Sequence, residues 1–280
     1  MKDAQLDSRL LLLVTLLVLA GWNLSAHGAD TLPTTDEVIH KAVARAKWVE
    51  EQKFERNHAF TKLSVKEESD DRGVVKDREE LLYQVYPVEG LPYIELIRKN
   101  GKPPTPQDVK KERDRQKKLR ERWARQGRHK DDEEVSFDEE LVGRYRFEMV
   151  TREPVNGRTA FRLRFEPQNN DLPVRRKVDR VLNKLEGSLW IDEGDYDIAK
   201  VEFHLRENVT IGWGLVAVFR RLDVSFEQAR GEDGVWLPSR IDAYVDGRVL
   251  IRSFHVRQRE RMSDVRKTSA EGQNVTPARK

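Results

Sequence analysis

The sequence predicts an α+β protein, mainly β, in which about ten antiparallel strands form one sheet packed over one to three helices. Two observations indicate the strands. Apolar and charged residues alternate with a period of two in many short segments, and Gly-containing turns separate these segments. A third observation indicates a helix, because apolar residues recur every three or four positions near residue 40.

The first 28 residues have the pattern of a secretory signal peptide. Lys2 and Arg9 precede an apolar run at 10–20, and small residues precede a cleavage point after Gly28. We therefore predict a cleaved signal at 1–28 and a single periplasmic domain at 29–265. An uncleaved anchor helix and a buried helix are the alternatives, although the run is shorter than the roughly 20 residues of a membrane span.

The composition excludes several kinds of site. The chain has no cysteine, which excludes disulfides, thiolate metal ligands and a cysteine nucleophile. An exported chain without cysteine is typical of a bacterial periplasm. Charged residues make up 36% of the chain, but 52 lysines and arginines stand against 49 aspartates and glutamates. The net charge is therefore only +3, which does not indicate binding to nucleic acid.

The first predicted element is an amphipathic helix at Thr35–Gln52. Pro33 and Asp36 mark its start. The apolar residues that follow share one helix face, which we expect to pack against the sheet; a docking face for a partner is the alternative. These residues are Val38, Ile39, Ala42, Val43, Ala46 and Val49.

Three short strands are predicted next, at 60–67, 80–88 and 93–99, because β-branched and aromatic residues are frequent there. A charged segment at 107–134 then interrupts the strand pattern. It lacks a continuous apolar stripe, so we predict a solvated helix that projects from the domain, or a partly disordered insertion. The alternative is a basic arm at 107–130 that contacts a membrane surface or an envelope protein.

The second half of the chain predicts an antiparallel meander. Segments 145–149 and 161–165 alternate on either side of an Asn-Gly pair, the strongest short hairpin signal. A short helix or basic loop is predicted at 173–185. The run from Gly187 to Leu205 predicts two strands joined by an acidic turn.

The last predicted strands lie at 219–230, 235–246 and 248–259. Asp246 and Gly247 form the predicted turn between the last two. Residues 266–280 have almost no apolar content and are predicted to be a flexible tail.

The acidic turn is the first candidate for chemistry. Its carboxylates at Asp192, Glu193, Asp195 and Asp197 lack the spacing of a calcium loop, so we interpret them as a solvated connection. The six histidines are scattered without metal-ligand spacing. We therefore expect no metal, no cofactor and no catalytic residue, and we predict that the protein is not an enzyme.

The segment at 209–219 is unusual because it carries no charge in a highly charged chain. Two glycines flank its tryptophan and give the backbone freedom. It is either a buried strand in the core or a mobile apolar flap at the mouth of a cavity. The flap residues would be Ile211, Trp213, Leu215, Val216, Val218 and Phe219.

The run GSLWID at Gly187 to Asp192, with the returning strand to Glu202, resembles a pattern of the LolA/LolB-like superfamily, which includes periplasmic outer-membrane lipoprotein-sorting proteins. Pieces at 183–185, 212–215 and 235–239 are similar to an uncharacterised branch of such exported proteins. The resemblance implies a strongly curved antiparallel sheet, an open half-barrel, wrapped over helices that act as a lid. It also implies that the concave face holds a lipid or a lipid-modified protein.

We therefore predict a non-enzymatic periplasmic binding or carrier protein whose partners are lipids or the acyl chains of lipoproteins. A cell-envelope scaffold that uses the charged helix and has no ligand cavity is the alternative. The alternating apolar residues of the second half would either line the ligand or fill a dry core. They are Tyr145, Phe147, Met149, Phe161, Leu163, Phe165, Leu189, Ile191, Val201, Phe203 and Leu205.

Overall fold

The computed structural model describes residues 32–52, 57–88, 91–126, 135–212 and 217–268. The predicted signal at 1–28 lies outside these residues. Within them the chain forms one antiparallel sheet of 11 strands and four helices, so the predicted α+β, mainly β class is confirmed. None of the described helices is long and apolar enough to cross a membrane.

The helices are α1 Thr35–Gln52, α2 Pro106–Gln126 and the single turns α3 Glu139–Val142 and α4 Asp179–Leu182. The first strands are β1 His58–Ser69, β2 Val75–Val88, β3 Leu91–Lys99, β4 Tyr145–Val155 and β5 Arg158–Pro167. The others are β6 Leu185–Asp192, β7 Ile198–Leu205, β8 Val209–Ile211, β9 Ala217–Arg230, β10 Trp236–Val249 and β11 Arg252–Lys267.

The strand order across the sheet is β3-β2-β1-β11-β10-β9-β7-β6-β5-β4, with β8 paired to β9 beside this path. The end strands β3 and β4 do not pair with each other, so the curved sheet stays open instead of closing into a barrel. The pairing of β1 with β11 joins the first three strands to the second half of the chain.

Helix α1 has the predicted bounds, and its apolar face packs on the β4–β7 part of the sheet. Val38 and Ala42 are almost completely buried there, against Phe161 and Leu163 of β5. Burial of one such aliphatic or aromatic side chain stabilises the fold by about 1.5–3 kcal/mol. The prediction that α1 packs on the sheet is therefore confirmed.

The acidic turn between β6 and β7 is not the predicted solvated connection. Asp192 is buried and accepts two hydrogen bonds from Arg158, at 2.7 and 2.8 Å, as well as backbone N–H groups of the turn. Asp197 is also buried and pairs with Arg45 of α1 at 2.6 Å. Because these arginines lie far away in sequence, the turn pattern itself does not reveal them.

The predicted turn at Asp246 and Gly247 is also wrong. Strand β10 continues to Val249, and the hairpin turns at Leu250, which has a positive φ of 56°. Gly247 lies inside the strand. A Cβ there would approach the Val218 carbonyl oxygen to 2.5 Å and the Phe254 ring to 2.7 Å. The glycine serves a close approach of two strands rather than a turn.

Helix α2 lies where the charged segment was predicted, and 127–134 lies outside the described residues. It is attached to β3 by a hydrogen bond from Gln116 to the Ile94 carbonyl, at 3.0 Å, and by the Lys99–Asp108 ion pair, at 3.0 Å. At the other end of the chain β11 continues to Lys267, so the first two residues of the predicted tail are in a strand.

Candidate functional site

Two rows of apolar side chains cross the sheet on the face that carries the helices. Paired residues of neighbouring antiparallel strands point to the same face, so the strand register defines each row. The first row, from β4 to β10, is Met149, Leu163, Leu189, Val201, Phe226 and Ile241. The second row is Phe147, Phe165, Gly187, Phe203, Val224 and Ala243.

The rows continue beyond the helix that covers their first half. Helix α1 packs over β4 to β7. None of the described helices makes its main contacts with β9 or β10. Six apolar side chains on these two strands form three cross-strand pairs, and all six are half-buried. We call this set the open strip: Leu222, Val224 and Phe226 of β9, with Val245, Ala243 and Ile241 of β10.

Both rows become polar at β11. Ile241 lies opposite Glu260, and Ala243 lies opposite Gln258. The Glu260 carboxylate lies 3.6 Å from the Lys62 ammonium group, and the Gln258 amide donates to the Ser64 hydroxyl at 2.7 Å. The open strip therefore has an apolar border at β7. Its border at β11 is polar at two of the three pairs, whereas Val245 lies opposite Val256.

Helix α2 covers the far end of the same face. The first row runs on from Glu260 to Ser64 and Leu81. Leu81 and Tyr83 line a cleft of about 430 Å³ together with residues of α2. Burial raises the pKa of Tyr83 to about 12, which keeps its hydroxyl neutral. The open strip thus lies between the parts of the sheet that α1 and α2 cover.

The sequence-predicted lining residues all fall in one cluster with α1. Six of them are buried under the helix: Tyr145, Phe161, Leu163, Phe165, Leu189 and Ile191. Five are half-buried at its margin: Phe147, Met149, Val201, Phe203 and Leu205. Val201 and Phe203 lie directly opposite Phe226 and Val224, and Leu222 of the open strip itself packs against the cluster, so the cluster and the strip are continuous.

Polar contacts hold α1 at the β6–β7 turn. Arg45 donates to Asp197, and the Lys41 ammonium group lies 3.2 Å from the Tyr196 hydroxyl and 4.7 Å from the centre of its ring. Burial raises the pKa of Asp197, and the Arg45 guanidinium only partly opposes this effect. The attachment of α1 therefore combines apolar packing with a partly buried ion pair.

A cleft of about 740 Å³ lies beside the C-terminal half of α1. Apolar side chains of α1, together with Phe137 and Ile198, form part of its wall. Gln228 of β9 also lines it, two residues beyond Phe226 on the same face. The cleft and the open strip are therefore neighbours on the helix face.

The opposite face of the sheet has a different chemical character. A groove of about 860 Å³ there is lined mainly by charged residues of β7, β9, β10 and β11. Many of them are paired, as in Lys200–Glu202 at 2.7 Å and Arg257–Asp242 at 2.8 Å. This face favours water over an apolar ligand.

The buried charges near α4 are structural. Asp179 is fully buried, lies 3.1 Å from Arg144 and accepts backbone N–H bonds from Arg175 and Arg176. Burial would raise the pKa of Asp179, but the hydrogen bonds and arginines outweigh it and lower the pKa. Within the described ranges, no group of three or more acidic, histidine or cysteine side chains is placed to hold a metal ion.

The predicted flap is described only in part, because Trp213, Leu215 and Val216 lie outside the described residues. Its ends form a strand pair, since β8 pairs with the start of β9. There Val209 lies opposite Phe219, whose ring is 6.0 Å from the ring of Phe254. The described ends, Ile211 and 217–219, therefore belong to the sheet.

The sequence interpretation missed the open strip. Its signal is present, because apolar residues alternate with polar ones at 222–226 and 241–245. Alternation shows that each strand has an apolar face but does not show which strands a helix covers. That information depends on the pairing of β7 with β9 and of β1 with β11, which are distant in sequence.

No family model and no curated protein matches the chain. Solved structures do match it, with low sequence identity. A domain named for outer membrane lipoprotein sorting, from Vibrio parahaemolyticus, is 12% identical over 84% of this chain and 96% of that one, with a TM-score of 0.28. A LolA superfamily protein from Nitrosomonas europaea is 11% identical over 80% of this chain and 93% of that one, with a TM-score of 0.30.

A chain of the MucA/MucB complex from Pseudomonas aeruginosa is 10% identical, and the match covers 81% of this chain and 100% of that one, with a TM-score of 0.24. One of these solved structures, from Nitrosomonas europaea, is named as a member of the superfamily that the sequence resembles.

Proposed function

We propose that this protein is a non-enzymatic periplasmic carrier that holds a lipid, or the acyl chains of a lipid-modified protein, on the helix face of its sheet. One observation carries the proposal: two apolar rows continue from the α1-covered core across β9 and β10 as the half-buried open strip. The signal-like N-terminus and the absence of cysteine support the periplasmic location.

The binding force would be the transfer of an acyl chain out of water. Each methylene that leaves water contributes about 0.8 kcal/mol, so a long chain needs no specific polar contact to bind. A half-buried strip removes only part of the chain's surface from water. Such partial burial gives an affinity that still allows the ligand to be passed on.

The polar border at β11 would orient an amphiphilic ligand. An acyl chain lying along the rows has its apolar end towards Phe203 and its polar end towards Glu260 and Lys62. The Lys62–Glu260 pair is partly exposed and offers both a cation and an anion there. The side chains under α1 would join the binding surface only if α1 moved away from the sheet.

The scaffold alternative is supported by α2. Outside its attachment to β3, most of its described side chains point into water and carry charge. Such a face suits contacts with another charged protein. In this alternative the open strip is a dry surface without a ligand.

Native mass spectrometry of the chain purified gently from its producing cell tests the proposal. We expect a co-purifying lipid, and we expect Val224→Asp, in the middle of the open strip, to lose it. The matched control is Ser225→Asp, the next residue, which points to the opposite face and should keep the lipid. A lipid-free protein with a stable protein partner would instead support the scaffold.

A further inference from the structure

The hairpin between β10 and β11 ends in an exposed apolar tip. Val249, Leu250 and Ile251 are consecutive, and they are 45%, 51% and 96% exposed. Ile251 is the most exposed large apolar residue among the described parts of the chain. An isolated apolar side chain on a surface is ordinary, but three together at the end of a hairpin need an explanation.

Two arginines flank this tip. Arg248 and Arg252 are both exposed, and neither forms an ion pair within the described parts of the chain. The tip therefore has the order basic, apolar, apolar, apolar, basic. This is the arrangement of a segment that places apolar side chains among lipid tails while its guanidinium groups bind headgroup phosphates.

A second hairpin tip lies beside the first. The β1–β2 turn exposes Val74 and Val75, and the exposed Arg72 precedes them. His255 of β11 connects the two hairpins, because its Nε2 lies 2.8 Å from the Asp71 carboxylate. The two turns therefore lie at the same end of the sheet, and both expose apolar residues, but the β1–β2 turn carries Asp70 and Asp71 beside its one arginine.

The main tip is held by the fold around it. The Phe254 ring packs against Phe219 and against the backbone of Gly247. At the end of β10, Val249 pairs with Ala217 of β9. Neighbouring strands therefore hold the base of the tip, while Leu250 and Ile251 are exposed.

We propose that the β10–β11 tip docks this protein on an anionic lipid bilayer surface. Val249, Leu250 and Ile251 would enter the interface between headgroups and tails, and Arg248 and Arg252 would contact lipid phosphates. Along β10 the open strip begins at Val245, four residues or about 14 Å from Val249. Docking at this tip would place the strip close to the source of a lipid, but the proposal does not depend on the strip holding one.

Vesicle co-sedimentation tests the docking, with the purified chain and vesicles of phosphatidylcholine alone or mixed with phosphatidylglycerol. We expect binding to the anionic vesicles only. The double variants Leu250→Asp/Ile251→Asp and Arg248→Ala/Arg252→Ala should each weaken it about tenfold or more. The controls are Val150→Asp, at another exposed valine, and Arg113→Ala/Lys117→Ala on α2, and both should bind as the original chain does.

Unchanged binding in the tip variants would overturn the proposal, and so would a loss confined to the α2 variant. A tip that instead joins two copies of the chain would also overturn it, and would appear as a dimer that the Asp variants dissociate in sedimentation without vesicles. Mass spectrometry of the tip variants separates this proposal from the carrier function, because they should retain any lipid that the open strip holds.

Discussion

Ile241 of β10 lies directly opposite Glu260 of β11, and at this pair the first apolar row of the helix face ends. On one side of the pair the row is apolar back to Met149 of β4. On the other side it continues through Ser64 of β1. A row that is apolar along its length and polar at one end fits an amphiphile better than a purely apolar ligand.

The attachment of α1 gives the first prediction. Arg45→Ala leaves the Asp197 side chain, 6% exposed, without its ion-pair partner, so we expect a loss of about 2 kcal/mol in the free energy of unfolding at pH 7. Urea denaturation measures this loss. The control is Arg146→Ala, which removes an exposed ion pair and should change stability by less than about 1 kcal/mol.

The same pair predicts a pH dependence. The pKa of Asp197 is raised by burial, so its folded form takes up a proton more readily than the unfolded chain. Its contribution to stability therefore increases as pH falls through the folded pKa towards 3.8. Removing Arg45 raises this pKa further, so the destabilisation should be smaller in acid. An equal loss at neutral and acidic pH would contradict the assignment.

Any side chain at Gly187 is expected to clash with the neighbouring strand. A Cβ at this position would lie 1.9 Å from the Glu202 carbonyl oxygen of the neighbouring strand. We expect Gly187→Ala to destabilise the protein by about 3 kcal/mol. Gly157→Ala, at an open turn with a φ of 79°, should lose only about 1 kcal/mol. Thermal unfolding measures the stability of the two variants. Equal losses of stability would contradict the close approach of β6 and β7 at Gly187.

The environment of His255 predicts that stability falls as pH rises above 6.5. The hydrogen bond to Asp71 and the nearby Asp246 raise the pKa of His255, while Arg220 faces Asp246 from β9. The stabilising charge is fully present below 6.5 and disappears as pH rises through the higher folded pKa. Urea denaturation across this range should show a downward slope that His255→Gln removes. A slope that persists in the variant would assign it to other groups.

The sequence predicts the elements with strong local signals. The bounds of α1 agree with the prediction, because a helix start and a 3.6-residue apolar period coincide there. The antiparallel, mainly β class follows from alternation and turn residues. These signals act within a few residues and need no knowledge of the tertiary fold.

The parts that failed depend on distant residues. Asp192 is buried because Arg158, 34 residues away, pairs with it. Gly247 lies within a strand at a point where Val218 and Phe254 leave no room for a Cβ. The open strip is likewise visible only after the order β7-β9-β10-β11 is known. Alternation marks these residues as apolar but does not show whether a helix covers them.

Protection of a thiol in the open strip tests the central claim most directly. The chain has no cysteine, so Ala243→Cys introduces the only thiol in the strip and Ser225→Cys gives a matched one on the opposite face. We expect a maleimide to label Ala243→Cys several-fold more slowly after loading with a phospholipid, and Ser225→Cys at an unchanged rate. Equal labelling of Ala243→Cys with and without lipid, in protein shown by mass spectrometry to be loaded, would contradict the claim.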